Sequence, residues 1–406
     1  MQSRLPLFNT QSKHVILLTL FLLGFFDCIA FSFIRGFHYI ISYGLLFILF
    51  LYRKESFIYS KYIHVYLLFF LFSCIYSQFY NGQLLFKTLG FSHPYLGICF
   101  SYYILHTRIS YKEIEKILVC LSILYCIGYI IQWLVYPFPL FRAADNDALY
   151  LERSYRIRIA GSLCAYMLFF YGLNMFILKK KFIYLIYSVL AFIPIIIMGF
   201  RSLTVLSVLL AFSMVIFMRK GIIKSIVYLI LGVGIAIAAF QTSLVQDKVE
   251  EMMSRQENNQ TFDNPDYIRN IQYTYFTEDF FTKPGEQFWG GGAPAGSTKY
   301  GEALRHGEEY FHLYWVDWGL VGLTWIIGIP AVLLLIFMYL YCAWRCKDPH
   351  LQFIRFTLIL LVVGSLFTTK ELYRTGNTIL ASFLFCLEYL YNKENKKSTT
   401  QPTLRI

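Results

Sequence analysis

The sequence predicts an all-α, polytopic integral membrane protein with about twelve transmembrane helices and a large polar loop before the last three. Three observations predict it. Of 406 residues, 57% are hydrophobic and only 15% charged, with a mean hydropathy of +0.54. A soluble domain of that length cannot bury so much apolar surface. Apolar runs close to the ~20 residues that cross a hydrocarbon core recur along the whole chain. Clusters of Lys and Arg punctuate every second connection between those runs.

Taken in order, the runs lie near 15–33, 37–52, 63–80, 88–106, 115–136, 159–178, 182–200, 202–218, 225–243, 313–341, 355–369 and 377–392. The second and the last are short, so one of them could be re-entrant rather than spanning. The first lacks a small-residue cleavage site and another run follows at once, so a retained span is expected rather than a removed signal. This divides the chain into a membrane region at 1–243, a polar loop at 244–312, a second membrane region at 313–392 and a polar tail at 393–406. No repeat of 20–50 residues is visible.

Basic clusters at 4–13, 53–61, 108–116, 179–181, 219–224, 345–355 and 393–405 fall on one side if the spans alternate. Short loops rich in Lys and Arg stay cytoplasmic, so both termini are expected inside and the 244–312 loop outside. The net charge of +12 then reads as topology. No basic stripe is concentrated in a soluble domain, which argues against a nucleic-acid partner. Cys28, Cys74, Cys99, Cys120, Cys126, Cys164 and Cys386 sit in or near spans, with Cys342 and Cys346 in an expected cytoplasmic loop. With none in the outer loop, no disulfide framework is expected there, and no zinc spacing occurs. No metal or other cofactor is expected.

The unusual polar residues gather on the expected outer face. The 137–158 loop carries Arg142, Arg153, Arg156 and Arg158, and Arg201 stands between two adjoining apolar runs. A guanidinium binds phosphate oxygens through paired hydrogen bonds and keeps its charge, so such arginines would suit a lipid-linked diphosphate. Snorkelling, or pairing with Asp145, Asp147 and Glu152, is the alternative. An arginine held at membrane depth costs at least ~3 kcal/mol unless solvated or paired, which singles out Arg201.

Before the tenth run, Glu308, Glu309 and His312 lie within five residues. A helix rising out of the membrane would put Glu308 and His312 on one face. A carboxylate near an apolar boundary suits a general base. The alternative is an interfacial cap with an aromatic belt of Tyr310, Phe311, Tyr314 and Trp315. The segment Phe288-Trp289-Gly290-Gly291-Gly292 lacks the Lys-Ser/Thr ending of a nucleotide loop and is expected to be a mobile, tight turn around Trp289. Asp27 and Lys87 are ionisable residues within spans, explained equally by function or by snorkelling.

In order, spacing and sidedness these features resemble the O-antigen polymerase and O-antigen ligase superfamily of bacterial envelope glycan assembly. Four local signatures carry the resemblance: Arg158-Ile-Ala-Gly161; Arg201-Ser202; Arg269 followed by Trp289-Gly290-Gly291-Gly292; and Glu308 leading to Gly319-Leu320-Val321-Gly322. The motifs cover 156–322, and the architecture covers about 15–392. Ligases of the superfamily usually carry a histidine eleven residues before the first glycine of the closing motif; here that position is Glu308, flanked by His306 and His312. Polymerases often carry an acidic residue there, so polymerase is favoured over ligase.

The resemblance implies a metal-independent, inverting glycosyl transfer in the bacterial cytoplasmic membrane. Donor and acceptor would be oligosaccharides on undecaprenyl diphosphate, and the product O-antigen, capsule or exopolysaccharide. Glu308 would be the base, with His312 as substitute or orienter. Arg158, Arg201 and Arg269 would offset the diphosphate charge, with Arg156, Glu309, Trp289 and Tyr310 as further substrate contacts. A chain-length regulator is a compatible partner beside the lipid bilayer itself. The rival is a transporter or flippase of lipid-linked glycans, for which two similar halves would be expected.

Overall fold

The computed structural model describes residues 8–22, 44, 57–135, 161–218, 268–366 and 375–400. Every regular element among them is helical. The first part of the chain forms α1 (Thr10–Leu22), α2 (Ser60–Tyr80), the short α3 (Leu85–Phe91), α4 (His93–Leu96) and α5 (Phe100–His106), then α6 (Tyr111–Leu134). Next come α7 (Leu163–Lys179), α8 (Phe182–Ile197) and α9 (Arg201–Met218). The loop region contributes α10 (Ile268–Thr274), a π-helical turn at Tyr275–Phe280, α11 (Glu286–Trp289) and α12 (Lys299–Phe311). A 3-10 turn at Trp315–Trp318 leads into α13 (Gly319–Ile327), α14 (Ile329–Arg345), α15 (Gln352–Gly364) and α16 (Thr375–Thr400).

Local chemistry sets several boundaries. Ser110 Oγ accepts from the Glu113 amide at 3.3 Å and starts α6. Lys180 adopts φ 57°, which ends α7 and turns the chain straight into α8. Those two helices cross closely because residue 172 is glycine: a Cβ there would meet Ser188 Oγ at 2.3 Å and the Tyr184 carbonyl at 2.5 Å.

Two of the described helices, α2 and α6, are long and apolar enough to cross a membrane. The other apolar helices that were expected to span are shorter, so twelve full-length spans are not found among the described residues. Two of the expected runs are interrupted, each with an identifiable cause. The 88–106 run breaks into α3, α4 and α5 around Pro94 and Gly97. The 313–341 run breaks at Gly328, φ 84°, into α13 and α14. The last run is not short: α16 continues to Thr400, and every residue from Gly376 to Glu388 is buried. A helix buried on all sides in this way belongs to a core. The expected spans at 37–52 and 225–243, and Asp27 and Cys28, lie outside the described residues apart from Gly44.

The centre of the bundle is α16. Its hydroxyls satisfy the carbonyls left free by the break between α4 and α5. Thr378 Oγ1 donates to the Pro94 carbonyl at 2.9 Å, and Ser382 Oγ to that of Gly97 at 2.9 Å. Residue 97 must be glycine, since a Cβ would sit 2.1 Å from Thr378 Oγ1.

The described helix termini gather at two ends. At one, the basic end, Ser12 Oγ donates to Glu113 at 2.8 Å, and Glu115 binds both His350 Nε2 at 2.8 Å and the Tyr171 hydroxyl at 2.9 Å. There too the buried Glu388 accepts from the Tyr59 hydroxyl at 2.5 Å, Arg345 Nε at 2.8 Å and Asn392 Nδ2 at 2.5 Å. Cys342 lies within α14 and Cys346 just beyond it, both buried, rather than in an open loop. At the other, the loop end, Asn377 Oδ1 accepts from the Leu163 amide at 3.0 Å, and the folded 268–320 segment closes over the helices.

Candidate functional site

The loop end is organised by a glycine segment inserted into a broken helix. Where α13 stops at Gly328, its last carbonyls have no partner within the helix. The Gly291 amide donates to the Trp325 carbonyl at 2.7 Å, and the Gly292 amide to that of Ile326 at 3.0 Å. The backbones approach so closely that a Cβ on Gly290 would lie 2.4 Å from the Gly328 nitrogen and 2.6 Å from the Ile326 carbonyl oxygen. Gly290, Gly291 and Gly292 are buried. The expectation of a mobile turn is therefore corrected: the glycines are there for backbone contact and are held in place.

Polar side chains that the sequence did not single out fix this plug. Asn81 Nδ2 donates to Glu286 Oε1 at 2.9 Å and to the Gly291 carbonyl at 3.1 Å. Lys283 Nζ donates to Asn81 Oδ1 and, at 2.6 Å, to the Tyr80 carbonyl. Gln83 receives the Ala295 amide at 2.7 Å and the Thr298 hydroxyl at 2.9 Å, and gives its own amide to the Ala293 carbonyl at 2.8 Å. Glu286 is fully buried, and its burial pushes the carboxyl above the ordinary range, although the Asn81 bond and the Lys283 charge pull it back. The Tyr300 hydroxyl lies beside it against Gly291, with its pKa raised well above the usual value, first by burial and then by the Glu286 charge. Asn81 and Gln83 bracket Gly82, φ 64°, just past an apolar run; that polar turn was the available signal.

The expected site residues distribute as follows. Arg269 is half-buried on α10, one turn before Gln272, whose Nε2 donates to the His312 carbonyl at 3.0 Å. Tyr273 rests on Trp318 with ring centroids 4.9 Å apart. Glu308 is half-buried on α12, and its charge helps raise the pKa of Tyr275, after burial and Asp279. Gly307 packs on that same tyrosine, where a Cβ would lie 3.2 Å from the hydroxyl. Glu308 and the His312 backbone thus lie at the seam between α10 with its π-helical turn and α12, with Arg269 on α10 itself.

His312 does not continue the α12 face as expected. The helix ends at Phe311, and His312 takes φ 55° as its cap, so the regular spacing with Glu308 is lost. Glu309 is exposed and pairs with Arg305 at 3.9 Å, a surface contact of small energetic value. Tyr310 is 69% exposed, its ring 4.5 Å from that of His306. Trp289 stacks instead on α2, between Phe69 and Phe72 at 6.5 and 5.9 Å. Lys87 reaches the Ser297 carbonyl at 3.5 Å on the exposed side of the loop. Arg156 and Arg158 lie outside the described residues, as does the side chain of Arg201, which opens α9. Among the described residues no group of three His, Cys, Asp or Glu could hold a metal ion.

What the seam offers chemically is a permanent cation, a carboxylate partly screened from water, and a ring-lined floor at the margin of an apolar bundle. The sequence matches no protein-family model and no curated protein.

Proposed function

We propose that this chain is an integral membrane glycosyltransferase that polymerises oligosaccharide repeat units carried on undecaprenyl diphosphate. The reaction would take place at the outer face of a bacterial cytoplasmic membrane. The observation that carries the reading is the seam itself: Arg269 one turn from the Gln272 contact to His312, and Glu308 beside Tyr275 on the facing helix. Cation and carboxylate come from two loop helices at the end of the bundle opposite its basic clusters. A lipid-linked diphosphate requires charge neutralisation where an apolar tail enters the bilayer, and an acceptor sugar requires a base.

In this reading the acceptor hydroxyl oxygen attacks the anomeric carbon of the donor sugar. The bond from that carbon to the diphosphate oxygen breaks, and the leaving group takes the electron pair. The hydroxyl proton passes to Glu308. Arg269, with Arg158 and Arg201, offsets the charge building on the departing diphosphate. Displacement from the opposite side inverts the anomeric centre. His312, exposed at the cap of α12, orients the acceptor.

The test is a surface-polysaccharide gel from the native host, comparing a deletion strain with strains carrying the wild-type chain, Glu308→Gln or Arg269→Ala. Loss of the long-chain ladder with a single repeat still attached, restored by wild type and by neither variant, supports polymerase and the assigned roles. Lipid-linked chains accumulating with no attached polymer would make the chain a ligase. An unchanged ladder in the deletion strain would overturn the glycan reading.

A further inference from the structure

Cations are treated differently at the two ends of the bundle. At the loop end they are bonded to protein oxygens: Lys283 to the Tyr80 carbonyl, Lys87 to that of Ser297, and Arg305 to Glu309. At the basic end Arg345 is bonded to Glu388, but several other cations lie over aromatic rings. Lys61 sits 4.8 Å from the centroid of Tyr62, and Lys112 5.9 Å from that of Tyr111. Lys347 sits 4.7 Å from Trp344, and Arg355 4.7 Å from Phe217.

Four carboxylates of that end are engaged elsewhere: Glu113 by Ser12, Glu115 by His350 and Tyr171, Asp348 by the His350 amide, and Glu388 by Arg345 and Tyr59. Lys61, Lys112 and Lys347 are exposed and make no ion pair among the described residues. Trp344 is 62% exposed beside Lys347. A ring contact holds an ammonium without using its hydrogen-bond donors, so the charge stays available to an external anion. Trp and Tyr favour the headgroup level of a bilayer, with an apolar body and a polar edge.

We propose that these paired cations and rings form a collar that binds the phosphodiester headgroups of anionic phospholipid in one leaflet. The rings sit at headgroup depth and fix the height of the bundle, while the ammonium groups take the phosphate oxygens. Alternating helix direction brings the pairs together, since each comes from a different helix yet all lie at the same end. The inference is independent of glycan chemistry and holds for the chain whatever it transfers.

The full chain is reconstituted in nanodiscs, and tryptophan fluorescence is measured with brominated phosphatidylglycerol or brominated phosphatidylcholine. Subtracting the signal of a Trp344→Phe chain isolates the collar. Phosphatidylglycerol is expected to quench Trp344 at the lower mole fraction. Lys347→Gln should reduce that preference about five-fold, and Lys61→Gln and Lys112→Gln should each reduce it further. These substitutions keep every ring, and 0.5 M salt should weaken the wild-type preference in the same way. The opposite-end variant Lys87→Gln/Lys299→Gln should leave it intact. Equal quenching by the two lipids, or a preference that survives the triple Lys→Gln chain, overturns the proposal. So does a preference lost equally on changing the opposite end.

Discussion

Replacing Gly290 with alanine tests the plugged helix break. The residue has φ 86° and ψ 141°, a conformation that only glycine adopts readily, so alanine costs about 1–3 kcal/mol in strain alone. Its Cβ would lie 2.4 Å from the Gly328 nitrogen and 2.7 Å from the Ile327 carbonyl carbon, both backbone atoms with no flexible end to yield. Relief requires the glycine segment to withdraw, which breaks the Gly291 and Gly292 bonds to α13. Each carbonyl so stranded adds about 1–3 kcal/mol. Once withdrawal has relieved the strain, the two stranded carbonyls make the expected loss about 2–6 kcal/mol, and it falls on the loop end. Limited trypsin digestion reads it directly, because Lys299 and Arg305 lie in the segment that would come loose. Gly296→Ala is the control, since a Cβ there meets nothing within 4 Å. Cleavage at equal rates in the two variants, with equal thermal midpoints, would refute the account of why the glycines are there.

Two further outcomes follow from the buried charges. Arg345→Leu leaves the fully buried Glu388 without its cation and is expected to cost about 3–5 kcal/mol, while Arg345→Leu/Glu388→Leu recovers most of that; thermal unfolding in detergent distinguishes the two. Glu286 holds its proton more tightly folded than unfolded, so its contribution to stability falls as pH rises from the ordinary carboxylate range through its raised value, and is level outside that window. Unfolding midpoints measured across mildly acidic to neutral pH should carry that slope, and Glu286→Gln should flatten it.

What could be read in the sequence was local. Tyr111–Leu134, Leu163–Lys179 and Phe182–Ile197 fall close to the apolar runs because run length and caps such as Ser110 act over a few residues. Clusters of Lys and Arg located the basic end for the same reason. The interruptions were harder to see. Gly328-Ile329-Pro330 stands inside an apolar stretch, and hydropathy alone reads straight through it. The need for a break arises from partners far away in sequence: Gly290–Gly292 for α13, and Thr378 and Ser382 for the carbonyls near Pro94. Asn81 and Glu286 are 205 residues apart, so neither side chain announced the other. Glu388 was overlooked as one acid in an apolar run, although its cost inside the bundle makes a partner obligatory. At the candidate site, the closeness of Glu308 and His312 along the chain was legible, while the left-handed residue that ends α12 at His312, against Gln272, was not.

The plug also dictates an order of assembly. A break inside a buried apolar segment leaves bare carbonyls in apolar surroundings, and those cannot wait long for partners. The amides that cover them belong to residues 291 and 292, which leave the ribosome before Trp325 and Ile326. The loop is thus synthesised, and able to fold, ahead of the interrupted helix that depends on it. Reversing that order, by moving the loop segment behind α14 in a permuted chain, would leave α13 to form before the amides that complete it exist. The chain is laid out so that the cover precedes the gap.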